Sequence, residues 1–146
     1  MADIAAARLR PEHLYLWWLG QSGFLVQWQG HHLLFDPYLS DSLTEKYAHT
    51  DKPHVRMTER ALAPDKLDFI ELATSTHNHT DHLDGETLLP LMAANPAMRL
   101  LVPEANRAFA AQRLGCHPSW LMGMDEGVRI EFSGFSCSAI AAAHET

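Results

Sequence analysis

At 146 residues the chain is long enough for one compact domain and too short for two. Hydrophobic residues make up 47%, which excludes a disordered chain, and a formal net charge of −7 excludes non-specific attraction to nucleic acid unless bound cations reverse the local sign. Ten histidines stand against two cysteines, Cys116 and Cys137, which fall in neither a CxxC nor a zinc-finger spacing and suit reduced thiols in a cytoplasmic protein.

Asp3, Arg8, Arg10 and Glu12 precede an apolar run at 14–19, too short for a signal-peptide core or a membrane span. That run reads as a buried strand broken by Gly20. Phe24, Val26 and Trp28 alternate with Leu25 and Gln27, the pattern of a strand with one better-buried face. Gln29-Gly30 signals a turn, a third strand follows over 32–35, and Asp36-Pro37 ends it, so the opening is a hairpin or meander. His31 and His32 flank the turn and are expected at the surface. Trp17, Trp18, Trp28 and Trp120 are expected in the core. Residues 38–64 are polar and mixed, with Pro53 and Pro64 as breakers, and read as a loop with helical turns at 42–47 and 58–61. A strand over 69–74 leads into the histidine-rich run. Asp84 caps a helix to about residue 94, with Glu86 in its first turn and Pro90 predicted to kink or restart it. A strand at 99–102 precedes a helix at 103–114, with Pro103 near its start and Gly115 past its end. Strands at 128–132 and 135–140 are joined by Ser133-Gly134. The fold class is α/β, without an internal repeat or linker.

Thr76-His77-Asn78-His79-Thr80-Asp81-His82 carries the chemistry. Side chains at i and i+2 of an extended or turning loop point the same way, so His77 and His79 pinch one cation, while Asp81 and His82 reach a second as the chain bends into the helix. Imidazole and carboxylate suit zinc, iron or manganese, and no neighbouring thiolate insists on zinc. A lone HxH is more often a polar surface turn; Asp81-His82 in register makes metal binding the stronger reading. The letters HNH at 77–79 lack a nuclease context.

The HxHxDH pattern at His77, His79, Asp81 and His82, after a strand and before a helix, resembles the signature of the metallo-β-lactamase superfamily. Trp18-Leu19-Gly20-Gln21-Ser22-Gly23-Phe24, then Leu33-Leu34-Phe35-Asp36-Pro37-Tyr38-Leu39, resembles the opening of its ascorbate-6-phosphate lactonase-like branch, and is similar to N-acylphosphatidylethanolamine phospholipase D relatives. Ala141-Ala142-Ala143-His144-Glu145 resembles the segment that delivers the family's next metal-binding histidine. The resemblance implies the N-terminal half of a four-layered αβ/βα sandwich spanning 1–146 as one domain. It implies His77, His79 and His144 on a first divalent cation and Asp81 and His82 on a second. The implied chemistry is hydrolysis of a lactone, ester or phosphodiester of a small phosphorylated or acylated metabolite by metal-bound hydroxide, with Asp81 orienting the water and carrying a proton. Family domains continue further and supply a bridging aspartate and a last histidine, so the resemblance also implies that 1–146 is truncated at its C-terminal side. The alternative is a non-catalytic metal-binding or interaction fragment. A small-molecule substrate is expected and nucleic acid is not; an uncovered sheet face would favour a homo-oligomer.

Asp84 reads first as a helix cap. Asp36 either supports the site or merely ends its strand. His54 and Arg56 would suit an anion pocket but are more often solvated, and they stay outside the expected site.

Overall fold

The computed structural model describes residues 1–141. Its centre is a six-stranded mixed sheet in the order β1 (Tyr15–Trp18), β2 (Phe24–Trp28), β3 (His31–Phe35), β4 (Leu72–Thr74), β5 (Arg99–Pro103), β6 (Leu121–Met124). The first three strands form an antiparallel meander, with Trp18 opposite Phe24 and Phe24 opposite Phe35. From β3 onward every neighbour is parallel, with Leu33 beside Leu72 and Ala73 beside Leu100. A separate hairpin pairs β7 (Arg129–Phe132) with β8 (Phe135–Ser138).

Parallel neighbours need crossovers, and helices supply them on one face. α3 (Gly85–Ala94) runs from β4 towards β5, and α4 (Arg107–Leu114) from β5 towards β6. Leu88 and Leu91 of α3, Ala110, Ala111 and Leu114 of α4, and Leu25, Leu34, Ala73 and Leu100 of the sheet form one buried core. α1 (Ala2–Arg8) covers the β2–β3 end of the same face. It buries Ile4 and Ala7, and buried Gln27 donates through Nε2 to the Ala7 carbonyl at 2.8 Å. α2 (Ser42–Tyr47) follows the loop after β3.

The opposite face is only partly covered. The β7–β8 hairpin meets it through Ser133 Oγ, 2.8 Å from Glu71 Oε2, and through Phe135 packed edge-on against His31. Towards β1 that face stays open: Leu16 is 62% exposed and Trp18 57%, with Phe24, Trp28 and Phe35 also exposed. Trp18 and Trp28 are therefore not core residues. They alternate onto the uncovered side, while Trp17 packs against the core.

Other expectations are also corrected. His32 is buried, not exposed, because β3 turns it towards α1, where its Nε2 lies 3.2 Å from Gln27 Oε1. Residues 48–63 hold neither helix nor strand, so no turn forms at 58–61; the Thr58 carbonyl is taken by the Arg56 side chain instead. α3 does not restart at Pro90 but runs through it as one helix. The carbonyl that Pro90 leaves without a donor belongs to Glu86, on the exposed side where water can serve it. β6 and α1 were not anticipated. In β6 the glycine that weakens the strand signal makes room for a side chain, since a Cβ at Gly123 would lie 1.8 Å from Glu104 Oε2 and displace it.

Candidate metal centre

β3 and β4 are parallel neighbours, so their C-terminal ends open on the same edge, where ligands of parallel sheets commonly lie. Asp36 leaves β3 there, and the loop 75–83 leaves β4. Ser75 Oγ donates to the His77 carbonyl (2.8 Å), and the His82 and Leu83 amides donate to the His79 carbonyl (3.0 and 2.8 Å), folding the loop back on itself. From α4, Arg113 Nη1 donates to the carbonyls of Asn78 (3.0 Å) and Leu83 (3.1 Å) and ties both sides of the loop together.

This folding gathers the imidazoles. The ring centroid of His77 lies 4.7 Å from that of His79 and 3.9 Å from that of His82. Donor atoms of Asp36, His77 and His82 lie within 4.8 Å of one another. Of the expected site residues, His77, His79, Asp81 and His82 are thus brought together at one sheet edge. His144 lies outside the described residues.

Asp36 is buried and already committed. Thr74 Oγ1 donates to its Oδ1 (2.6 Å), the Thr76 amide reaches both carboxylate oxygens (3.1 and 3.2 Å), the Thr76 hydroxyl donates to Oδ2, and His82 Nδ1 donates to Oδ2 (2.6 Å). Burial alone would raise the Asp36 pKa, but these hydrogen bonds outweigh it and hold the carboxyl below its ordinary value. Asp36 is therefore an ionised acceptor, which fixes the proton on His82 Nδ1. Burial pulls the His82 pKa down, yet the Asp36 hydrogen bond, its charge and that of Asp81 together leave it raised. With Nδ1 engaged, His82 presents Nε2, 3.6 Å from Asp81 Oδ2.

Two ligands bound about 2.1 Å from one tetrahedral cation are about 3.4 Å apart. The Asp81–His82 pair fits that requirement. Asp36 fits a different role, a carboxylate behind a ligating histidine that sets its tautomer and direction. Gln21, in the loop between β1 and β2 with φ 50°, donates through Nε2 to Asp81 Oδ2 at 3.2 Å. Ser22 Oγ lies 3.1 Å from the Asp81 carbonyl and 3.2 Å from that of Asp36. Neither residue was anticipated; the turn-rich run Gly20–Gly23 marks a loop but not its target. Asp84 is the expected cap, accepting from the Thr87 amide (3.1 Å), and it also takes hydroxyls from Ser40 (2.6 Å) and Ser42 (3.0 Å).

Residues 15–146 match the family described as the beta-lactamase superfamily domain. Among solved structures, the chain is similar to CmlA, a diiron beta-hydroxylase from Streptomyces venezuelae, at 26% identity and a TM-score of 0.54, over 83% of this chain and 22% of that one. It is also similar to Igni18, a metallo hydrolase from the archaeon Ignicoccus hospitalis, at 20% identity and a TM-score of 0.49, over 81% of this chain and 42% of that one. The chain thus spans about a fifth of CmlA (22%) and less than half of Igni18 (42%). None of the curated proteins compared with it matches. The chain belongs to the beta-lactamase superfamily domain family, whose members are metal-dependent hydrolases or oxygenases.

Proposed function

We propose that this member of the family is a metal-dependent hydrolase, in which His77, His79 and His144 hold one divalent cation and Asp81 and His82 a second. The observation that carries the reading is the pair Asp81 Oδ2 and His82 Nε2 at 3.6 Å, with the other His82 nitrogen already held by Asp36. Divalent cations supply, when bound, a water acidified towards a pKa of roughly 7 and a Lewis acid for the scissile group. Zinc is the leading candidate, with manganese and iron also suited to an all-nitrogen-and-oxygen donor set.

The remaining roles belong to the chain itself. Asp36 keeps His82 Nδ1 protonated, so Nε2 is the atom left to face a cation. Asp81, steadied by Gln21, is our candidate for taking up a proton and returning it to the leaving group. The leading substrate class is a lactone or phosphorylated sugar derivative, supported by the run Trp18–Phe24 and its resemblance to the ascorbate-6-phosphate lactonase-like branch. An N-acyl phospholipid or another phosphodiester comes second. The net charge of −7 supports a small-molecule partner over nucleic acid. A cytoplasmic location is supported by the two unpaired, half-buried thiols of Cys116 and Cys137. No helix among the described residues is long and apolar enough to cross a membrane.

The likeness to CmlA favours a second reading, an oxygenase built on two irons. Titration of chelator-treated protein with zinc, manganese and ferrous iron, alongside His82→Ala and Asp81→Asn, tests the centre. The expected result is tight binding of at least one cation, weakened in both variants; unchanged binding in both would remove the site. Hydrolysis of p-nitrophenyl esters and phosphodiesters, against dioxygen consumption by the iron-loaded chain, then separates the two enzyme readings. Cation binding without either activity would leave a metal-binding module.

A further inference from the structure

A cleft of about 390 Å³ opens beside the candidate metal centre. Asp81 and His82 line it together with Arg56, Thr58, Trp18 and Gln21. Arg56 belongs to the irregular segment 48–63, where an idle arginine would extend into water. Instead its side chain is 13% exposed. Its Nη1 donates to the Ser40 carbonyl (2.6 Å), its Nε to the Thr58 carbonyl (3.3 Å), and Cζ sits 5.0 Å from the Tyr38 ring centroid. The guanidinium is thus oriented before any ligand arrives, which lowers the entropy lost on binding one.

Its charge is only weakly countered among the described residues. The carboxylate in range is Asp41, 3.9 Å from Arg56 Nε and about half exposed; it also lies 4.0 Å from Arg60 Nη1. One carboxylate is thus shared between two guanidiniums, at the long end of ion-pair range for both. Arg56 Nη2 has no hydrogen-bond partner among the described residues. The space near it is kept open by Gly20 (φ 90°), where a Cβ would lie 3.7 Å from Nη2 and 2.8 Å from Thr58 Oγ1. Stapling two carbonyls explains part of the guanidinium; it does not explain a mostly buried, under-compensated cation facing the cleft. Burying such a charge is unfavourable unless an anion completes it.

We propose that Arg56 anchors a substrate subsite for an oxyanion, a carboxylate or phosphate group carried by a molecule whose reacting bond lies at the metal centre. The substrate class is then anionic. This rests on the reading of the centre as a reaction site, but the subsite itself needs no cation.

The test is an NMR titration of the full chain with inorganic phosphate and, separately, with succinate, at constant ionic strength. Both are run on protein as purified and after dialysis to remove cations. Saturable shifts at the Arg56 Nε–H, the Trp18 indole and the Gln21 amide are expected in both preparations, with the tighter-binding probe identifying phosphate or carboxylate. Arg56→Gln should weaken binding at least ~10-fold, and Arg60→Gln less than ~2-fold. Shifts scattered over the surface, or an unchanged affinity in Arg56→Gln, overturn the subsite. Shifts that vanish when cations are removed also overturn it, because the anion then sat on the metal, and they leave the metal reading standing. If Arg56→Gln does not fold, the wild-type shift map decides alone.

Discussion

Asp36 ends β3 in a left-handed backbone conformation, φ 41°, which an aspartate tolerates better than most residues. The turn carries its carboxylate away from the strand direction and into contact with Thr74, Thr76 and His82. In Asp36→Asn the amide lacks the charge that anchors His82 Nδ1–H. Cation affinity is expected to fall ~10–100-fold, measured by chelator competition. Urea unfolding should show a loss of about 1–3 kcal/mol, since buried donors lose a charged acceptor. Unchanged affinity would show that His82 is oriented by something else. His32 makes a second residue-scale prediction. Burial, then the charge of Arg8, outweigh Glu71 and hold its pKa below the ordinary 6.5. The unfolded chain therefore takes up this proton at a higher pH than the folded one. The contribution of His32 is fully present above about pH 6.5 and is lost as pH falls through the lowered folded-state value. Urea midpoints measured from about pH 7.5 down to 5 should fall, and His32→Gln should flatten the fall; an equal slope in both would assign it elsewhere. At this scale the four neighbouring donors 77–82 were legible because the chemistry is local in sequence. Gln21, and the full role of Asp36, were not, because their partners lie 60 and 46 positions away.

Elements with strong periodic or capping signals were read close to their observed bounds. β2 matches, α3 begins after Asp84, and α4 ends before Gly115, whose φ of 62° is the left-handed cap a glycine supplies. Failures share a cause: tertiary partners replaced the local signal. β4 is only three residues long because the Ile70 amide donates to Asn95 Oδ1 (2.8 Å) rather than to a neighbouring strand. β6 is a strand because β5 offers it a parallel ladder, despite Gly123. Asp84 shows how much one cap can join. Besides the Thr87 amide it accepts the Thr87 hydroxyl (2.5 Å), and Ser40 and Ser42 bring the loop after β3 onto the same carboxylate. Asp84→Ala removes a cap and leaves buried hydroxyls without their acceptor. A loss of roughly 2–4 kcal/mol is expected in chemical denaturation. Amide exchange should rise both at the start of α3 and over 40–43. A rise confined to α3 would mean the loop is held by other contacts.

At the scale of the molecule, helices cover one sheet face and a small hairpin covers part of the other. The observed arrangement is one αβ half of the four-layered sandwich expected from the sequence. What remains open is a continuous apolar strip, because opposed positions on neighbouring antiparallel strands share a face. Leu16 lies opposite Val26, Trp18 opposite Phe24, Phe24 opposite Phe35, and Trp28 opposite His31. The alternation in β2 announced a two-sided strand, but composition could not say which side is left uncovered. Contiguous apolar surface of this kind drives association through burial, at about 25 cal/mol per Å² removed from water. The 146-residue chain should therefore bind a hydrophobic dye and self-associate as its concentration rises, measured by sedimentation. Leu16→Lys combined with Phe35→Thr should shift it towards monomer. Both side chains are exposed, at 62% and 38%, so unfolding should change little. Neither residue lines the cleft beside the metal centre, so cation affinity should be unchanged. Association that survives the double change would place the contact elsewhere, for example on the exposed outer face of the β7–β8 hairpin.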